Sequence, residues 1–503
     1  MSVATVPARR SLRLGRLQTL AVLFGLLGVV LVAYVAPNVE STNKAFTFEP
    51  PPDPPRLSFD PRTLIVAIGV FFVITAVVSF VANRAERWEP YLRGCLMVSA
   101  LLIAPLVVIL SLAWSEAVDT NIVQLIVESL RLGTPIALGA MAGLWCERSG
   151  VVNIGIEGMM LAAAGVGFTA YAVLGDAQGT GWLWLSIGVA VITGGLIGAL
   201  HALVSVSFRV DQIISGVVIN LLALGLTSFL RSQVIVPRGI STGESTSVIE
   251  LPLLSDIPVI GEQLLTGKPI FFLMFVIVAA TWFVLFKTPW GLRVRSCGEN
   301  PHAAETRGIS TGTSTSEISV PLLSDIPVIG EQLFQNKPIF FLMFVIVAAS
   351  WFVLFKTPWG LRVRSCGENP HAAETLGIDV IRIRYQAVIL GGLIAGLGGA
   401  WFSMESQGGF QDNMTNGAGF IALAALIFGG WRPWSAFAGA MLFGFTRALG
   451  TRLQILDVTI GDFSIPSEFW QALPYVVTII VVAGAVGRAI PPAADGQPYE
   501  RPR

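Results

Sequence analysis

The sequence predicts an all-α integral membrane protein, a polytopic helical bundle of about 12 transmembrane helices with one extra apolar segment from an internal duplication. Three observations carry that expectation. Hydrophobic residues make up 53% of the 503-residue chain and charged residues only 13%, with a mean hydropathy of +0.71, well outside the range of water-soluble domains. Apolar runs of bilayer-spanning length recur from one end to the other. Between them, short basic segments alternate with short acidic ones, the pattern left when basic connections stay in the cytoplasm. Formal net charge is zero, which singles out no acidic partner and no nucleic acid, so the information lies in where the charges fall.

Taken in order, Arg9, Arg10, Arg13 and Arg16 precede an apolar run over 17–35, which reads as an uncleaved first span with the N-terminus inside. Residues 37–61 are Pro-rich and poor in apolar side chains, as expected of an extended outer linker. A second span over 63–81 ends at Arg84 and Arg87, and a third over 94–114 ends near Glu116 and Asp119. Residues 1–120 thus form a three-span N-terminal extension, and 121–487 a transmembrane domain. The fourth span, 121–145, carries Glu128 and Arg131 three residues apart, where a local pair on one helical face accounts for both charges.

Next comes Ser149-Gly-Val-Val-Asn-Ile-Gly-Ile-Glu-Gly158. Gly150, Gly155 and Gly158 interrupt any helix here, and a helix broken at membrane depth is tolerated only where it is buried in protein or lines a cavity. Such a break frees backbone groups for a solute. Asn153 and Glu157, four apart, either face a solute path or hold a tight turn. Spans follow over 159–174 and 182–206. The next opens with Asp211-Gln-Ile-Ile-Ser-Gly-Val-Val-Ile-Asn-Leu-Leu-Ala-Leu-Gly225, placing Asn220 mid-span, where its amide bonds either another helix or a polar solute.

Residues 239–307 recur, mostly unchanged, as 308–376: Pro252-Leu-Leu-Ser-Asp-Ile-Pro258 returns as Pro321-Leu-Leu-Ser-Asp-Ile-Pro327. Two units do not make a solenoid, so this is a tandem duplication, joined through a shared Gly-Ile pair. Each copy holds one apolar run (270–286 and 339–355) and one polar loop. An added span would invert everything downstream and place Lys356, Arg362, Arg364, Arg382 and Arg384 outside, against the positive-inside rule. One of the two runs is therefore expected not to cross normally. The second polar loop, Ser365-Cys-Gly-Glu-Asn-Pro-His-Ala-Ala-Glu-Thr-Leu-Gly-Ile378, keeps the continuation to Arg382 and is taken as the working copy. Further runs over 387–404, 420–429, 436–449 and on to 486 precede a polar, Pro-rich tail at 488–503, expected in the cytoplasm.

Four of these stretches carry a resemblance. Ala372-Ala373-Glu374 with Gly377 resembles the coupling loop of ABC importer permeases. The 149–158 string, the 211–225 string and Gly419-Phe-Ile-Ala-Leu-Ala-Ala-Leu-Ile-Phe-Gly-Gly430 resemble the nucleoside and simple-sugar branch of the ribose and branched-chain amino acid permease superfamily. The resemblance implies a permease subunit of the bacterial inner membrane, with both termini cytoplasmic, that moves a nucleoside, or failing that a simple sugar, inward by alternating access. Its implied partners are an ATPase subunit, a second permease subunit (a copy of itself or a relative) and an extracytoplasmic solute-binding protein. Glu368, Ala372, Ala373, Glu374 and Gly377 would couple to the ATPase, with Ala303, Ala304, Glu305 and Gly308 as the duplicate loop. Asn153, Glu157 and Asn220 are the candidates for the solute path.

The residues themselves suggest no catalysis, no metal site and no cofactor. The chain has no phosphate-binding loop, so any ATP hydrolysis belongs to another chain. Two other classes stay open at this stage: an ion-coupled secondary transporter, which needs paired intramembrane acids where only Glu128 and Glu157 stand out, and a membrane scaffold inactivated by the duplication.

Overall fold

In a computed structural model the chain is described over residues 16–47, 56–82, 88–115, 117, 119–175, 180–238, 249–250, 266–267, 338–455, 459–460, 463–464, 470, 472 and 490–500. It divides into two compact units, one of residues 1–122 with 449–471 and the other of 123–448 with 472–503.

The first unit contains α1 (Arg16–Val30), α2 (Pro61–Ala82) and α3 (Glu89–Ala113). α1 and α2 cross where both lack side chains: a Cβ on Gly28 would overlap the Gly69 carbonyl, and one on Gly25 the Ala76 methyl. Beside that crossing the Phe24 and Phe72 rings pack at 5.1 Å. Asp60 opens α2 by accepting from the Thr63 amide at 3.2 Å and the Thr63 hydroxyl at 2.5 Å. The Thr63 hydroxyl is also the main reason its carboxyl lies below the usual carboxylate range.

Part of the expected linker is a small sheet. β1 (Lys44–Thr47) pairs antiparallel with β2 (Arg56–Phe59) and parallel with β3 (Asp119–Asn121). Lys44 is buried there because its ammonium donates to the Ser115 carbonyl at 2.9 Å and the Ala117 carbonyl at 2.8 Å.

The second unit holds α4 (Ile122–Arg148), α5 (Ile156–Gly175), α6 (Thr180–Ala202), α7 (Gln212–Leu230), α8 (Pro338–Lys356), α9 (Pro358–Glu368), α10 (Pro370–Thr375), α11 (Val380–Ala400), α12 (Ala418–Phe428) and α13 (Pro433–Ile455). α8 is the apolar run of the second duplicate. It is packed into the core through Met343, Val347 and Leu354, and Trp145 on α4 donates its indole N–H to the Ser350 hydroxyl at 2.9 Å. The apolar run of the first duplicate, with Ala303, Ala304, Glu305 and Gly308, lies outside the described residues.

Among the described residues, eight helices are long and apolar enough to cross a bilayer, and the pair α8 and α9, bent by 76°, makes a ninth if counted as one span. The sequence-based count of about twelve rests partly on runs outside the described residues, partly on 436–449, which lies in α13 and is not among those nine, and partly on 420–429. That run is α12, 11 residues long, so about 16 Å against a hydrocarbon core of about 30 Å. It begins at Gly417, whose φ is +73°, and ends at Gly429 and Gly430.

The most extensive helix crossing among the described residues joins α6 to α11. Gly194 and Gly198 face Gly392 and Gly396, so the helix backbones touch directly. A Cβ at Gly194 would overlap the Gly392 carbonyl oxygen, one at Gly392 the Gly194 carbonyl oxygen, and one at Gly396 would sit 2.7 Å from the Ala190 carbonyl. Without a hydrophobic drive in lipid, this close backbone approach is what holds two helices together. Substituting Gly392→Ala should therefore destabilise the detergent-purified protein by about 1–3 kcal/mol of overpacking, read as a lower thermal midpoint. Gly188→Ala on the same helix as Gly194, where an added methyl meets nothing within 4 Å, should leave the midpoint unchanged or slightly raised.

Candidate functional site

The two stretches singled out by sequence, the polar loop at 365–378 and the broken segment at 149–158, lie against each other.

The loop is a chain of capped turns. Thr357 opens α9 by accepting from the Gly360 amide at 3.0 Å, and its hydroxyl donates back to the Val353 carbonyl at 2.6 Å. Pro358 follows at the first helical position, where no N–H is needed. Asn369 is extended and opens α10 by accepting from the Ala372 amide at 3.0 Å. α10 closes on Gly377, whose φ of +79° is left-handed. There the Gly377 amide bonds the Glu374 carbonyl at 2.8 Å and the Ile378 amide the Ala373 carbonyl at 3.1 Å. Asp379 then opens α11 through the Arg382 amide at 3.2 Å. Ala373 points into the core, whereas His371, Ala372, Thr375 and Leu376 face outward, Leu376 at 79% exposure.

The broken segment has its backbone groups taken by side chains of neighbouring helices. The Val152 amide donates to Gln212 Oε1 at 2.7 Å, and the Val152 carbonyl lies 3.0 Å from His201 Nε2. A carbonyl only accepts, so that nitrogen carries the proton and Nδ1 accepts from the Ser215 hydroxyl at 2.9 Å. Asn220 binds at two points: its Nδ2 donates to the Ile154 carbonyl at 3.1 Å and its Oδ1 accepts from the Gly158 amide at 2.7 Å. Gly158 and Gly216 let α5 and α7 approach this closely. A Cβ on Gly158 would lie 2.8 Å from the Ile219 carbonyl, and one on Gly216 2.8 Å from the Gly155 amide nitrogen.

Glu157 reaches the N-terminus of α12. Its Oε1 accepts from the Thr415 hydroxyl at 2.6 Å and the Gly417 amide at 2.9 Å, and its Oε2 from the Gly419 amide at 2.6 Å. A carboxylate at that end also meets the positive end of the helix dipole. Asn153 is buried and donates to Cys146 Sγ at 3.3 Å. Glu157 and Asn220 are thus both engaged with backbone donors.

Loop and break meet at Gly367. A Cβ there would overlap the Arg148 carbonyl oxygen and lie 3.2 Å from the Gly150 amide nitrogen. Arg384, at the start of α11, donates from Nε to the Ser149 carbonyl at 3.2 Å. Arg148 donates from Nε and Nη2 to the Trp431 carbonyl, at 3.0 and 2.7 Å, and faces Glu368 at 3.8 Å. Trp431 in turn donates its indole N–H to Glu147 Oε2 at 2.5 Å. The backbone φ of Trp431 is +54°, a left-handed value uncommon for a bulky residue, and these contacts hold it.

Sequence reading missed this clamp of Glu147, Arg148, Trp431 and Arg384. The only signal was that Trp431-Arg-Pro-Trp434 and Cys146-Glu-Arg148 both close apolar runs with charges. Ala303, Ala304, Glu305 and Gly308 fall outside the described residues. Glu128 pairs locally with Arg131 at 3.8 Å.

Comparison with known proteins gives a consistent result. The chain matches the family described as branched-chain amino acid transport system / permease component over residues 125–320 and again over 311–482, the two matches meeting inside the duplicated region. It is 34% identical to the guanosine ABC transporter permease protein NupQ of Bacillus subtilis, over 74% of this chain and 94% of that protein. It is 36% identical to the nucleoside ABC transporter permease protein NupC of Lactococcus lactis subsp. cremoris, over 75% of this chain and 98% of that one. Similarity to the putative glucose ABC transporter permease protein TsgC13 of Haloferax volcanii is lower, 29% over 72% of this chain and 91% of the relative. No solved structure matches.

Replacing Glu157→Gln tests the junction of α5 and α12. An amide can offer only one acceptor oxygen to the donors of Thr415, Gly417 and Gly419, so the variant should lose about 1–3 kcal/mol, read as a lower thermal midpoint. Glu128→Gln, which removes only a half-exposed local pair, should stay within about 0.5 kcal/mol of the parent.

Proposed function

Because the chain belongs to the permease-component family of the branched-chain amino acid transport systems, we propose that it is the membrane subunit of an ATP-driven importer whose solute is a nucleoside. The observation that carries this reading is the contact at Gly367. A short capped helix with an outward apolar tip, α10, is joined through α9 to a break in the membrane-buried backbone. Movement imposed on the loop by an ATPase subunit would reach the 149–158 segment through that contact and through Arg148 and Arg384. Ala372, Ala373, Glu374 and Gly377 form the docking turn, and Glu368 ties it to Arg148. The second duplicate supplies this loop.

The solute path runs beside the breaks, where α5 and α12 begin. Asn153, Glu157 and Asn220 set its inner end, Glu157 and Asn220 by holding the backbone there and Asn153 by bonding the Cys146 and Met159 sulfurs. The character of that end favours an uncharged polar solute. The N-terminal amides of α12 already have the Glu157 carboxylate as their anion, and the Gly158 amide is taken by Asn220, so a carboxylate-bearing solute gains less from these helix ends. The relatives named for guanosine and nucleosides outrank the glucose relative in identity, which supports the nucleoside.

The basic residues around the loop, Lys356, Arg362, Arg364, Arg382 and Arg384 with Arg148, Arg209 and Arg432, support a cytoplasmic position for that end, together with both termini. Residues 121–487 carry transport, since the family match begins at 125, and 1–120 are an added three-span extension. A complete importer would hold two permease chains, two ATPase subunits and an extracytoplasmic solute-binding protein. Glu128 pairs with Arg131 on its own helix and Glu157 is bound to the N-terminus of α12, so the two do not form the paired intramembrane acids that ion coupling needs.

Right-side-out vesicles that carry the chain with its ATPase subunit, are loaded with ATP and are supplied with the binding protein provide the test. They should take up labelled guanosine in a vanadate-sensitive way, competed by unlabelled adenosine and not by glucose. Uptake that persists without ATP and collapses with a proton ionophore would refute the reading.

A further inference from the structure

Residues 490–500 are polar and Pro-rich, a composition that ordinarily stays solvated. Here they are tied down along their length to the polar-loop end of the second unit. The Ala493 amide donates to Glu368 Oε2 at 3.3 Å and the Ala494 amide to the Gly367 carbonyl at 2.8 Å. Gly496, with φ at +76°, turns the segment, and Arg384 Nη1 then donates to the Gln497 carbonyl at 3.0 Å. Tyr499 is 5% exposed. Its hydroxyl donates to Glu374 Oε2, its ring lies 5.3 Å from that of His371, and the Arg384 guanidinium sits 5.9 Å from its centroid. Glu500 closes the segment on Arg209 at 2.8 Å.

Two features give this arrangement a meaning. Arg384 is 1% exposed, and a buried guanidinium needs partners. The Ser149 carbonyl supplies one, and the segment adds the Gln497 carbonyl and the Tyr499 ring. Asp495 is carried in beside it, and burial pushes its carboxyl up to about 7 although Arg384 pulls the other way. The segment also touches Gly367, Glu368, His371 and Glu374 while leaving Ala372, Thr375 and Leu376 exposed. It lies alongside α10, with Ala493, Gly496, Gln497 and Pro498 themselves exposed, and does not cover it.

We propose that residues 490–500 are part of the surface that receives the ATPase subunit, with Tyr499 a positioning residue that fixes Glu374 and His371 so that α10 and the C-terminal segment present one composite face. This rests on the docking reading given above.

The test uses the full chain in lipid nanodiscs with the importer's own purified ATPase subunit. Tyr499→Phe keeps the ring beside His371 and removes the bond to Glu374. It should weaken ATPase binding about tenfold, equivalent to about 1.4 kcal/mol, with at most a small fall in the thermal midpoint of the permease and no loss of its folded yield. Tyr499→Ala, which removes the ring as well, should also reduce the amount of solute moved per ATP hydrolysed. Parental binding and coupling in both variants would overturn the proposal, and so would tighter binding, which would make the segment a cover. Leu376→Arg, at the exposed tip of α10, separates this from failure of the docking reading itself. It should abolish ATPase binding whatever the segment does, and parental binding by Leu376→Arg would remove the dock and the proposal together.

Discussion

Between α4 and α5 the backbone passes through the interior of the second unit; the Ser149, Gly150 and Val151 amides still close on the Cys146 and Glu147 carbonyls of α4, but beyond Val151 the chain has left the helix and the surrounding structure depends on satisfying it. An unpaired amide or carbonyl at that depth costs several kcal/mol, so each must find a partner. Gln212, His201 and Asn220 supply them from α6 and α7, and Arg384 supplies one from α11. These side chains fix the separations of α5, α6, α7 and α11, and glycines at 158, 194, 216, 392 and 396 make those separations reachable. The break is thus the point on which the helices converge. It also begins where the polar loop rests, so a displacement of the loop has a stiff route into the bundle.

Stiffness in the loop comes from local chemistry. Thr357, Asn369 and Asp379 each cap a helix, and Gly377 ends one in the left-handed region that suits glycine. Each turn of a loop so punctuated is fixed by its own hydrogen bonds. The loop's outward residues mix polar groups, Glu368, Asn369 and His371 among them, with Ala372 and the exposed Leu376, an apolar side chain that gains by being covered. α12 complements it from the other side. Its N-terminus is held by Glu157 and its C-terminal turn by Glu147 and Arg148, so α4 and α5 grip both ends of a half-length helix.

The helical bundle was legible because lipid demands long apolar runs, and these can be read one at a time. The same holds for the polar loop, where Asn-Pro and Leu-Gly mark the two ends of α10 in plain sequence. Long-range pairing was much less legible. Glu157 and Asn220 stood out as polar residues in apolar surroundings, which left open whether a solute or a backbone amide was their partner; the structure gives each of them backbone donors. α12 read as a span because its 11 residues are uniformly apolar, and nothing local said that its N-terminus begins inside the bundle. The 44–47 and 56–59 strands escaped notice among prolines. The anchoring of the C-terminal segment had no local sign at all, since Tyr499 and Glu374 are 125 residues apart.

Docking of an ATPase subunit on the loop at 365–378, as proposed, requires that loop to face the cytoplasm. Cys366 is fully buried, so Leu376 is the better reporter. Leu376→Cys, in a chain with Cys95 and Cys297 replaced by Ser, should react with a membrane-impermeant maleimide only after cells are permeabilised, and the ATPase subunit should protect it. Labelling in intact cells would place the loop outside and contradict the account.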